Sequence, residues 1–363
     1  VVSEVRSTPQ LVLFVTGSEK LGIGESDDTV VDKWEKVYDT VYESSAVEEK
    51  FAGWTNSFNG QRIPTVEMQE WLDCTIKSIN KVIQMHSKRI QRDVHLLEIG
   101  FGTGMIVDGV LDSVQAYTGT DISVAAKDRL QNKFRNDPRG MKIQNLYHCQ
   151  STDIKVVAKG ITPDIIVINS VIQYFPSSTY LHDTIISSTN LLLESNGKKG
   201  NGGIIFVGDV RNYATLYDFH LGIQKHNNNN EAQESENNVA LLAKHSMLLE
   251  SELCLDPYFF YDLVYDSTNA IIAAKCNLKR GSYFNELSMY RYDVILMVGD
   301  DPTKKQLSVI HDCEMIDYNN SCTSFKSMIK VIKAKSEQMK YLVVTNIPNG
   351  RLNQINGIDI HLF

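Results

Sequence analysis

The sequence lacks the clustered cysteines and histidines that a structural metal site requires. None of its six cysteines forms a Cys-x-x-Cys pair, whereas zinc sites use ligands at such short spacings. His311 and Cys313 lie close together in the chain, but two ligands do not make a site. We therefore expect no metal ion, and free cysteines in a reducing compartment, the cytoplasm. The cysteines are Cys74, Cys149, Cys254, Cys276, Cys313 and Cys322.

Long apolar runs and an excess of basic residues are absent as well. No apolar stretch approaches the ~20 residues that a membrane helix needs, and no basic segment followed by an apolar one indicates a signal peptide. The 36 Lys and Arg residues stand against 44 Asp and Glu, a formal net charge of −8. Nonspecific nucleic-acid binding needs a basic face. We expect neither a membrane nor a nucleic-acid partner.

The 363 residues contain enough apolar material, 42%, for a sizeable core. Short apolar segments with helical stretches between most of them predict an α/β fold with a mostly parallel sheet covered on both faces. Apolar residues at helical spacing predict helices over 31–42 and from 63–65 onward. A linker is predicted over 17–28 and a mobile polar loop over the Asn-rich run 226–238. The predicted strands are 94–99, 116–120, 143–148, 165–169, 204–207, 271–275 and 294–298.

A glycine-rich turn follows the first strand of this sheet. Glu98 precedes Gly100, Gly102 and Gly104, and glycines at such a turn let backbone N–H groups approach a ligand closely. A dinucleotide fold would want a third glycine where Met105 stands. The spacing instead resembles motif I of class I S-adenosylmethionine methyltransferases. An unrelated α/β fold with a merely structural turn is the alternative.

Polar residues follow each successive strand, where ligands bind in doubly wound sheets. Asp121 comes after the second strand and is predicted to accept from both ribose hydroxyls of the cofactor, beside Ile122. The other cofactor residues predicted at strand ends are Thr152, Asp153, Asn169 and Ser170.

Seven motifs in order resemble the N-methyltransferase domains of nonribosomal peptide synthetases, and the resemblance covers about residues 31–300. It implies a Rossmann-like class I methyltransferase core over 93–300 under an N-terminal helical lid over 31–92, with Trp34 and Tyr38 in the lid. The motifs are AGWT from Ala52, EMQEWLD from Glu67, LEIGFGTGM from Leu97, VINSVIQYFP from Val167, VGDVR from Val207, ELCLDP with two following phenylalanines from Glu252, and NELSMYRY from Asn285.

The two ends of the chain resemble the small subdomain of an adenylation domain into which such methyltransferases are inserted. This implies an adenylation remnant and linker over 1–30 and a small α/β flanking segment over 301–363. We expect the chain to be an excised domain or a descendant of one. The implied partners are a peptidyl carrier protein, bearing a phosphopantetheine-linked aminoacyl group, and the neighbouring adenylation domain.

The resemblance implies methyl transfer from S-adenosylmethionine to the α-amine of the carrier-bound aminoacyl thioester. Asn169 is predicted to orient the amine, and Glu252, or else Glu286, to accept its proton. Asp209 and Arg211 are predicted to pair and shape the acceptor side. The substrate-binding residues predicted from the motifs are Trp54, Gln173, Tyr174, Asp209, Arg211, Asn285 and Tyr290.

Two other interpretations remain open. The first is a C-methyltransferase or small-molecule methyltransferase on the same scaffold. C-methylation usually needs a histidine–acid pair, and the histidines of this chain fall outside the matched motifs, which favours N-methylation. The second is an inactive scaffold domain, against which the intact Glu98, glycine loop and Asp121 argue.

Overall fold

A seven-stranded mixed sheet with helices on both faces forms the centre of the computed structural model. The structure describes residues 2–4, 9–11, 26–44, 50–51, 53–154, 160–196, 202–231, 235–266, 268–299, 314–322, 324–336 and 342–345. The strands of this sheet are β3 (His95–Ile99), β4 (Ala116–Asp121), β5 (Ile143–His148), β6 (Ile165–Asn169), β7 (Gly203–Arg211), β8 (Ile271–Leu278) and β9 (Arg291–Val298).

The strand order is β5-β4-β3-β6-β7-β9-β8. The first five strands pair in parallel, and β9 runs antiparallel to both of its neighbours. In the register, Ile99 lies beside both Thr120 and Ile168. The carboxyl ends of β3, β4 and β6 are therefore level, and the residues that follow them meet at one edge of the sheet.

Helices cover both faces of the sheet. They are α1 (Asp27–Ser44), α2 (Thr65–Ile90), α3 (Met105–Val110), α4 (Val124–Phe134), α5 (Ser178–Asn196), α6 (Leu216–Glu231), α7 (Glu236–Leu248), α8 (Tyr258–Tyr265) and the single turn α9 (Glu286–Met289). No described helix is both long enough and apolar enough to cross a bilayer.

The core lies in two layers because alternate side chains of a strand point to opposite faces. Leu96 of β3 packs with α2 residues such as Ile79 on one face. Its neighbour Leu97 packs with Leu181 of α5 and Phe260 of α8 on the other face. Every residue of β3 and β6 is buried, as expected for central parallel strands. The predicted α/β fold is confirmed.

Outside this sheet, the structure describes two strand pairs. Strands β1 (Val2–Glu4) and β2 (Pro9–Leu11) pair antiparallel. Strands β10 (Glu314–Asp317) and β11 (Leu342–Thr345) pair in parallel, and α10 (Tyr318–Ser321) and α11 (Phe325–Ser336) lie between them in the chain. The predicted domain boundaries at 30, 92 and 300 stay predictions.

The predicted polar loop over 226–238 is wrong for most of its length. Helix α6 continues through the asparagine run to Glu231, and α7 begins at Glu236 with Ser235 accepting a hydrogen bond from the Asn238 N–H at its N-terminus. Apolar residues of α6 before the run, such as Phe219, pack against Tyr290, and a helix anchored there extends into polar residues at little cost. Most of the predicted linker lies outside the described residues.

Candidate functional site

A cleft of about 490 Å³ opens at the carboxyl edge of the sheet. At one end it is lined by the glycine turn after β3 and by the tips of β4 and β6. At the other end it is lined by residues from β7, α6, the segment before α8, and α9. Helix α1 covers it. The predicted site residues on its wall are Trp54, Glu98, Gly100, Gly102, Asp121, Ile122, Asn169, Ser170, Tyr174, Arg211, Glu252, Glu286 and Tyr290.

The glycine turn has a backbone that side chains would disfavour. Gly100, Gly102 and Gly104 have φ values of 76°, 50° and 76°, a region open mainly to glycine. A side chain at Gly102 would place its Cβ 2.9 Å from the Tyr42 hydroxyl of α1. Gly104 caps α3 and is not on the cleft wall. The turn therefore offers close backbone approach to a ligand at Gly100 and Gly102.

Asp121, at the end of β4, is buried and holds this turn in place. Its Oδ2 accepts the Gly102 N–H at 2.8 Å and its Oδ1 accepts the Ser123 N–H at 2.9 Å. A carboxylate has about four acceptor positions, so each oxygen can accept one more hydrogen bond. Burial raises the pKa of Asp121 to about 6, although the two backbone N–H groups oppose the shift.

Glu98 is also buried on the cleft wall, beneath the turn. The Tyr117 hydroxyl donates to its Oε2 at 2.6 Å. Burial raises the pKa of Glu98 to about 8, against the effect of the Tyr117 hydrogen bond. At neutral pH this carboxyl group therefore holds its proton in the cofactor-free protein.

Helix α1 is attached to the strand tips beside Asp121. Asp39 accepts hydrogen bonds from the Ser123 hydroxyl at 2.5 Å and the Ala125 N–H at 3.3 Å, at the N-terminus of α4. Glu35 lies 3.2 Å from His148, whose same nitrogen lies 2.9 Å from the Ile122 carbonyl oxygen. These contacts hold α1 over the cofactor end of the cleft, where the sequence predicts a lid.

An aromatic cluster forms the underside of this lid. Trp34 and Tyr38 of α1 lie with ring centroids 4.6 Å and 5.2 Å from that of Tyr174. Tyr42 packs next to Tyr38. The cluster joins α1 to the turn after β6, so the lid packs against the rest of the wall.

The predicted residues after β5 do not lie on the cleft wall. Asp153 is exposed and Thr152 half-buried in a short helical turn, and the wall at this point is formed by Cys149 and Ser151. The predicted binding of the cofactor by Thr152 and Asp153 stays a prediction.

Carboxylates and basic side chains form ion pairs at the other end of the cleft. Arg211 donates to Glu252 at 2.8 Å and to Glu250 at 2.8 Å. His220 lies 3.2 Å from Glu250. Burial alone would raise the pKa of Glu250, but hydrogen bonds from Arg211 outweigh it and the pKa is lowered. Glu250 and His220 were not predicted, since neither falls inside a matched motif.

Glu286 lies on the same part of the wall, from the start of α9. It is buried, and its Oε2 accepts the Ser57 N–H at 2.8 Å. Tyr290, from the same motif, packs on Phe219 with ring centroids 5.2 Å apart. Its hydroxyl is buried and meets no hydrogen-bond partner among the described residues. Trp54 packs against Trp71 with ring centroids 4.8 Å apart.

Asn169 lies between the two ends of the cleft, at the tip of β6. Its Nδ2 donates to the Ser170 hydroxyl at 3.1 Å. Its Oδ1 is buried against Gly208, and no donor among the described residues reaches it. The structure therefore places Asn169 on the wall but leaves the predicted amine-orienting oxygen covered.

Three residues predicted to bind substrate stand behind the wall. Asn285 caps α9, accepting from the Leu287 and Ser288 N–H groups, and Gln173 donates to the Ser170 carbonyl at 3.1 Å. Asp209 is fully buried and pairs with Arg291, and Arg211 pairs with Glu250 and Glu252. The prediction that Asp209 pairs with Arg211 is therefore wrong. The two residues lie two positions apart at the end of β7, and each contacts different groups.

Comparison with known proteins shows that the chain is similar to segments of nonribosomal peptide synthetases. It is 34% identical over 272 residues to the probable non-canonical nonribosomal peptide synthetase CymA of Salinispora arenicola, covering 74% of this chain and 3% of that protein. It is 32% identical over 340 residues to nonribosomal peptide synthetase TES of Alternaria alternata (91% and 6%), and 27% identical over 348 residues to enniatin synthetase of Fusarium oxysporum (93% and 10%).

The chain is thus homologous to a segment of these synthetases, as the motifs indicated, and spans at most a tenth of their length. No family model matches it.

Among solved structures, magnesium protoporphyrin IX methyltransferase (ChlM) from Synechocystis PCC 6803 with bound SAH is 11% identical with a TM-score of 0.44, covering 75% of this chain and 95% of that one. Plantazolicin methyltransferase BamL is 14% identical with a TM-score of 0.40, covering 76% and 100%.

Proposed function

We propose that the chain is an S-adenosylmethionine-dependent N-methyltransferase that acts on the α-amine of a carrier-bound aminoacyl thioester. The observation that carries the proposal is the cleft itself. One continuous space joins the Gly100–Gly102 turn and Asp121 to the carboxylates of Glu252 and Glu286. Homology to nonribosomal peptide synthetases supports the same substrate class.

The cofactor end offers hydrogen-bonding groups and an open glycine turn that suit S-adenosylmethionine. Asp121 retains one acceptor position on each oxygen, which suits two adjacent ribose hydroxyls. The Gly100–Gly102 turn leaves room for the methionine part, because no side chain projects from its glycines. When bound, the cofactor supplies a methyl group on a positively charged sulfur.

The acceptor end needs only a weak base. The reference pKa of an α-amine is about 7.7–8.0, so a nearby carboxylate suffices to orient the amine and take its proton. Glu252 already accepts from Arg211, whereas Glu286 accepts the backbone N–H of Ser57. We therefore propose Glu286 as the proton acceptor and Glu252 as a group that orients the amine.

The remaining wall positions the acceptor. Trp54, Tyr174 and Tyr290 present rings to the cleft, and aromatic faces favour a neighbouring cation by about 0.5–2 kcal/mol. Asn169 would contribute its Oδ1 only after its side chain turns away from Gly208. We propose the carrier protein and the adenylation domain as partners. We also propose that the flanking segments at 1–30 and 301–363 belong to an adenylation subdomain.

Mass spectrometry tests this function directly. A carrier protein loaded with an aminoacyl group is incubated with the chain and S-adenosylmethionine, and the mass of the aminoacyl group is followed. We expect one added methyl group on nitrogen, located by fragmentation, and none without cofactor. Binding of S-adenosylmethionine without any methylated acceptor in a panel of aminoacyl carriers would overturn the proposed substrate class.

A second candidate is C-methylation of a carrier-bound β-ketoacyl group. The observation that favours it is the contact of His220 with Glu250 on the cleft wall, at 3.2 Å, since such a pair can remove a carbon-bound proton. Paired reactions with aminoacyl and β-ketoacyl thioesters distinguish the two. Methylation of the β-ketoacyl group alone would favour C-methylation.

A further inference from the structure

A buried charge cluster lies directly behind the wall of the cleft, centred on Asp209. Its Oδ2 accepts from Arg291 at 2.5 Å and from the Ser170 hydroxyl at 2.9 Å. Its Oδ1 accepts from the Trp71 indole N–H at 2.9 Å and lies 3.6 Å from the Lys279 ammonium. Trp71, Ser170 and Arg291 all line the cleft, whereas Asp209 does not.

The direction of each hydrogen bond in this cluster follows from the charge of Asp209. Burial alone would raise the pKa of its carboxyl group, but Arg291 and Lys279 outweigh burial and lower it. Asp209 is therefore a carboxylate that can only accept, and the Ser170 hydroxyl must donate to it. The Ser170 oxygen is then left to accept the Nδ2 of Asn169. Asp209 thus sets which way the amide of Asn169 faces.

The backbone at both residues is held in an unusual conformation. Ser170 and Asp209 have φ values of 56° and 64°, which few residues other than glycine adopt. Asp209 lies at an irregularity in the pairing of β7 with β9. Its freed N–H donates to Asp293 at 2.9 Å, and the Ser170 N–H donates to the Gly208 carbonyl at 3.1 Å. Such conformations persist where surrounding contacts fix them, often at functional sites.

We propose that Asp209 is a positioning residue that fixes Ser170, Trp71 and Arg291 in the geometry the acceptor amine requires, without touching the substrate. This inference rests on the proposed function for its kinetic consequence. The inference is supported by three hydrogen bonds to this one buried carboxylate, because each comes from a residue of the cleft wall.

The test is Asp209→Asn. Asparagine tolerates the left-handed backbone conformation and keeps the shape of the side chain. The change removes the negative charge and replaces one acceptor oxygen with an N–H donor group. We expect kcat for methyl transfer to fall by about 10–100-fold, because a small misplacement of groups near the reacting atoms lowers the rate by this much. The affinity for S-adenosylmethionine and the acceptor KM should change by less than about threefold, since the lost geometry acts on the reacting step.

The matched control is Asp164→Asn. Asp164 is also fully buried and ion-paired, accepting from Arg92 at 2.7 Å and from the His95 N–H at 2.9 Å, and it is not on the cleft wall. Both variants remove one buried negative charge and should lower the unfolding temperature. Only Asp209→Asn should lower kcat. Equal kcat in the two variants, whether preserved or lost, would overturn the inference.

Two further measurements keep the inference testable. If Asp209→Asn does not fold, Ser170→Ala breaks the link to Asn169 while leaving the contact of Asp209 with Arg291. It should reduce kcat, and unchanged kcat would overturn the inference.

A spectroscopic measurement separates this inference from the proposed function. The chain has three tryptophans, and Trp71→Phe assigns the Trp71 indole N–H resonance by NMR. This resonance and the Asn169 side-chain amide should shift in Asp209→Asn and not in Asp164→Asn. Absent shifts overturn the inference even if no substrate is turned over, and wild-type inactivity together with the shifts overturns only the proposed function.

Discussion

At the scale of single residues, Asp121 combines a structural and a binding contribution in one carboxylate. It holds the Gly102 and Ser123 N–H groups and keeps two acceptor positions facing the cleft. Only the ionised form offers all of these positions, because a protonated oxygen would have to donate. The protonation state of this group should therefore control cofactor affinity.

The first prediction concerns pH. Because burial raises the pKa of Asp121 to about 6, affinity for S-adenosylmethionine should be constant near pH 7 and weaken as pH falls through 6. Below pH 6, the affinity should fall by up to about tenfold per pH unit. Isothermal titration calorimetry from pH 5 to 8 measures it. In Asp121→Asn, affinity should be lower and the step near pH 6 absent; a step that persists in this variant would assign the titration to another group.

The second prediction concerns stability and Glu98. Burial raises the pKa of Glu98 from 4.5 to about 8, so the folded protein keeps a proton that the unfolded chain loses above its own pKa. This proton stabilises the fold fully only below the unfolded pKa, and the free energy of unfolding should decrease by up to about 1.4 kcal/mol per pH unit as pH rises to 8.

Glu98→Gln keeps an oxygen for the Tyr117 hydroxyl and removes the titrating group. Urea unfolding of the cofactor-free protein at several pH values should show a smaller decrease for the variant than for the wild type. Parallel curves for the two proteins would contradict the assignment of the proton to Glu98.

Single residues also show how far the sequence could predict the site. Gly100, Gly102, Asp121 and Asn169 follow strand ends, and a level parallel sheet brings such residues together wherever they stand in the chain. The partner of Asp209 was predicted as its neighbour Arg211 and is Arg291, 82 residues away. Ion pairs between distant residues depend on register and side-chain direction, which the local pattern does not contain.

At the scale of elements, α1 connects to the sheet through polar contacts at its middle and aromatic contacts beside them. Among its described residues, Val31 alone is buried, and the aromatic rings that contact Tyr174 are half-buried. Asp39 adds a polar attachment at the N-terminus of α4, where a carboxylate is favoured by the free N–H groups. Loss of this attachment should let the lid open more readily.

The third prediction follows from that attachment. Asp39→Ala removes the contacts with Ser123 and Ala125, which together contribute about 1–2 kcal/mol because Asp39 is half-buried and one of the two bonds is long. Dissociation of S-adenosylmethionine, followed by stopped-flow fluorescence, should become about 5- to 30-fold faster.

The control for this variant is Asp32→Ala, which removes the same charge from an exposed position on the same helix. Its dissociation rate should equal that of the wild type. If both variants released the cofactor equally fast, the effect would come from the charge of α1 and not from its attachment to α4.

Among the elements, the sheet strands were predictable and one helix was not. Strands such as Ile143–His148 and Ile165–Asn169 begin and end where the apolar pattern does. The asparagines in α6 have no apolar pattern of their own. Their helix depends on the packing of Phe219, which lies earlier in α6, against Tyr290. Tertiary packing of this kind overrides local propensity.

At the scale of the whole molecule, the net charge of −8 acts on every ligand that approaches the cleft. S-adenosylmethionine carries one net positive charge at neutral pH, and S-adenosylhomocysteine, which lacks the sulfonium, carries none. A negative protein attracts the first from a distance and leaves the second unaffected. The two ligands share every other group, so they separate long-range attraction from contacts within the cleft.

The fourth prediction is that salt slows association of the charged cofactor only. Raising the ionic strength shortens the distance over which the protein charge acts, to about 10 Å at 0.1 M and 3 Å at 1 M. The association rate of S-adenosylmethionine should therefore fall by about two- to fivefold over this range, with S-adenosylhomocysteine nearly constant in the same stopped-flow experiment. Equal salt dependence for both ligands would show that salt acts on the lid or the cleft, and that the charge of the molecule does not guide the cofactor.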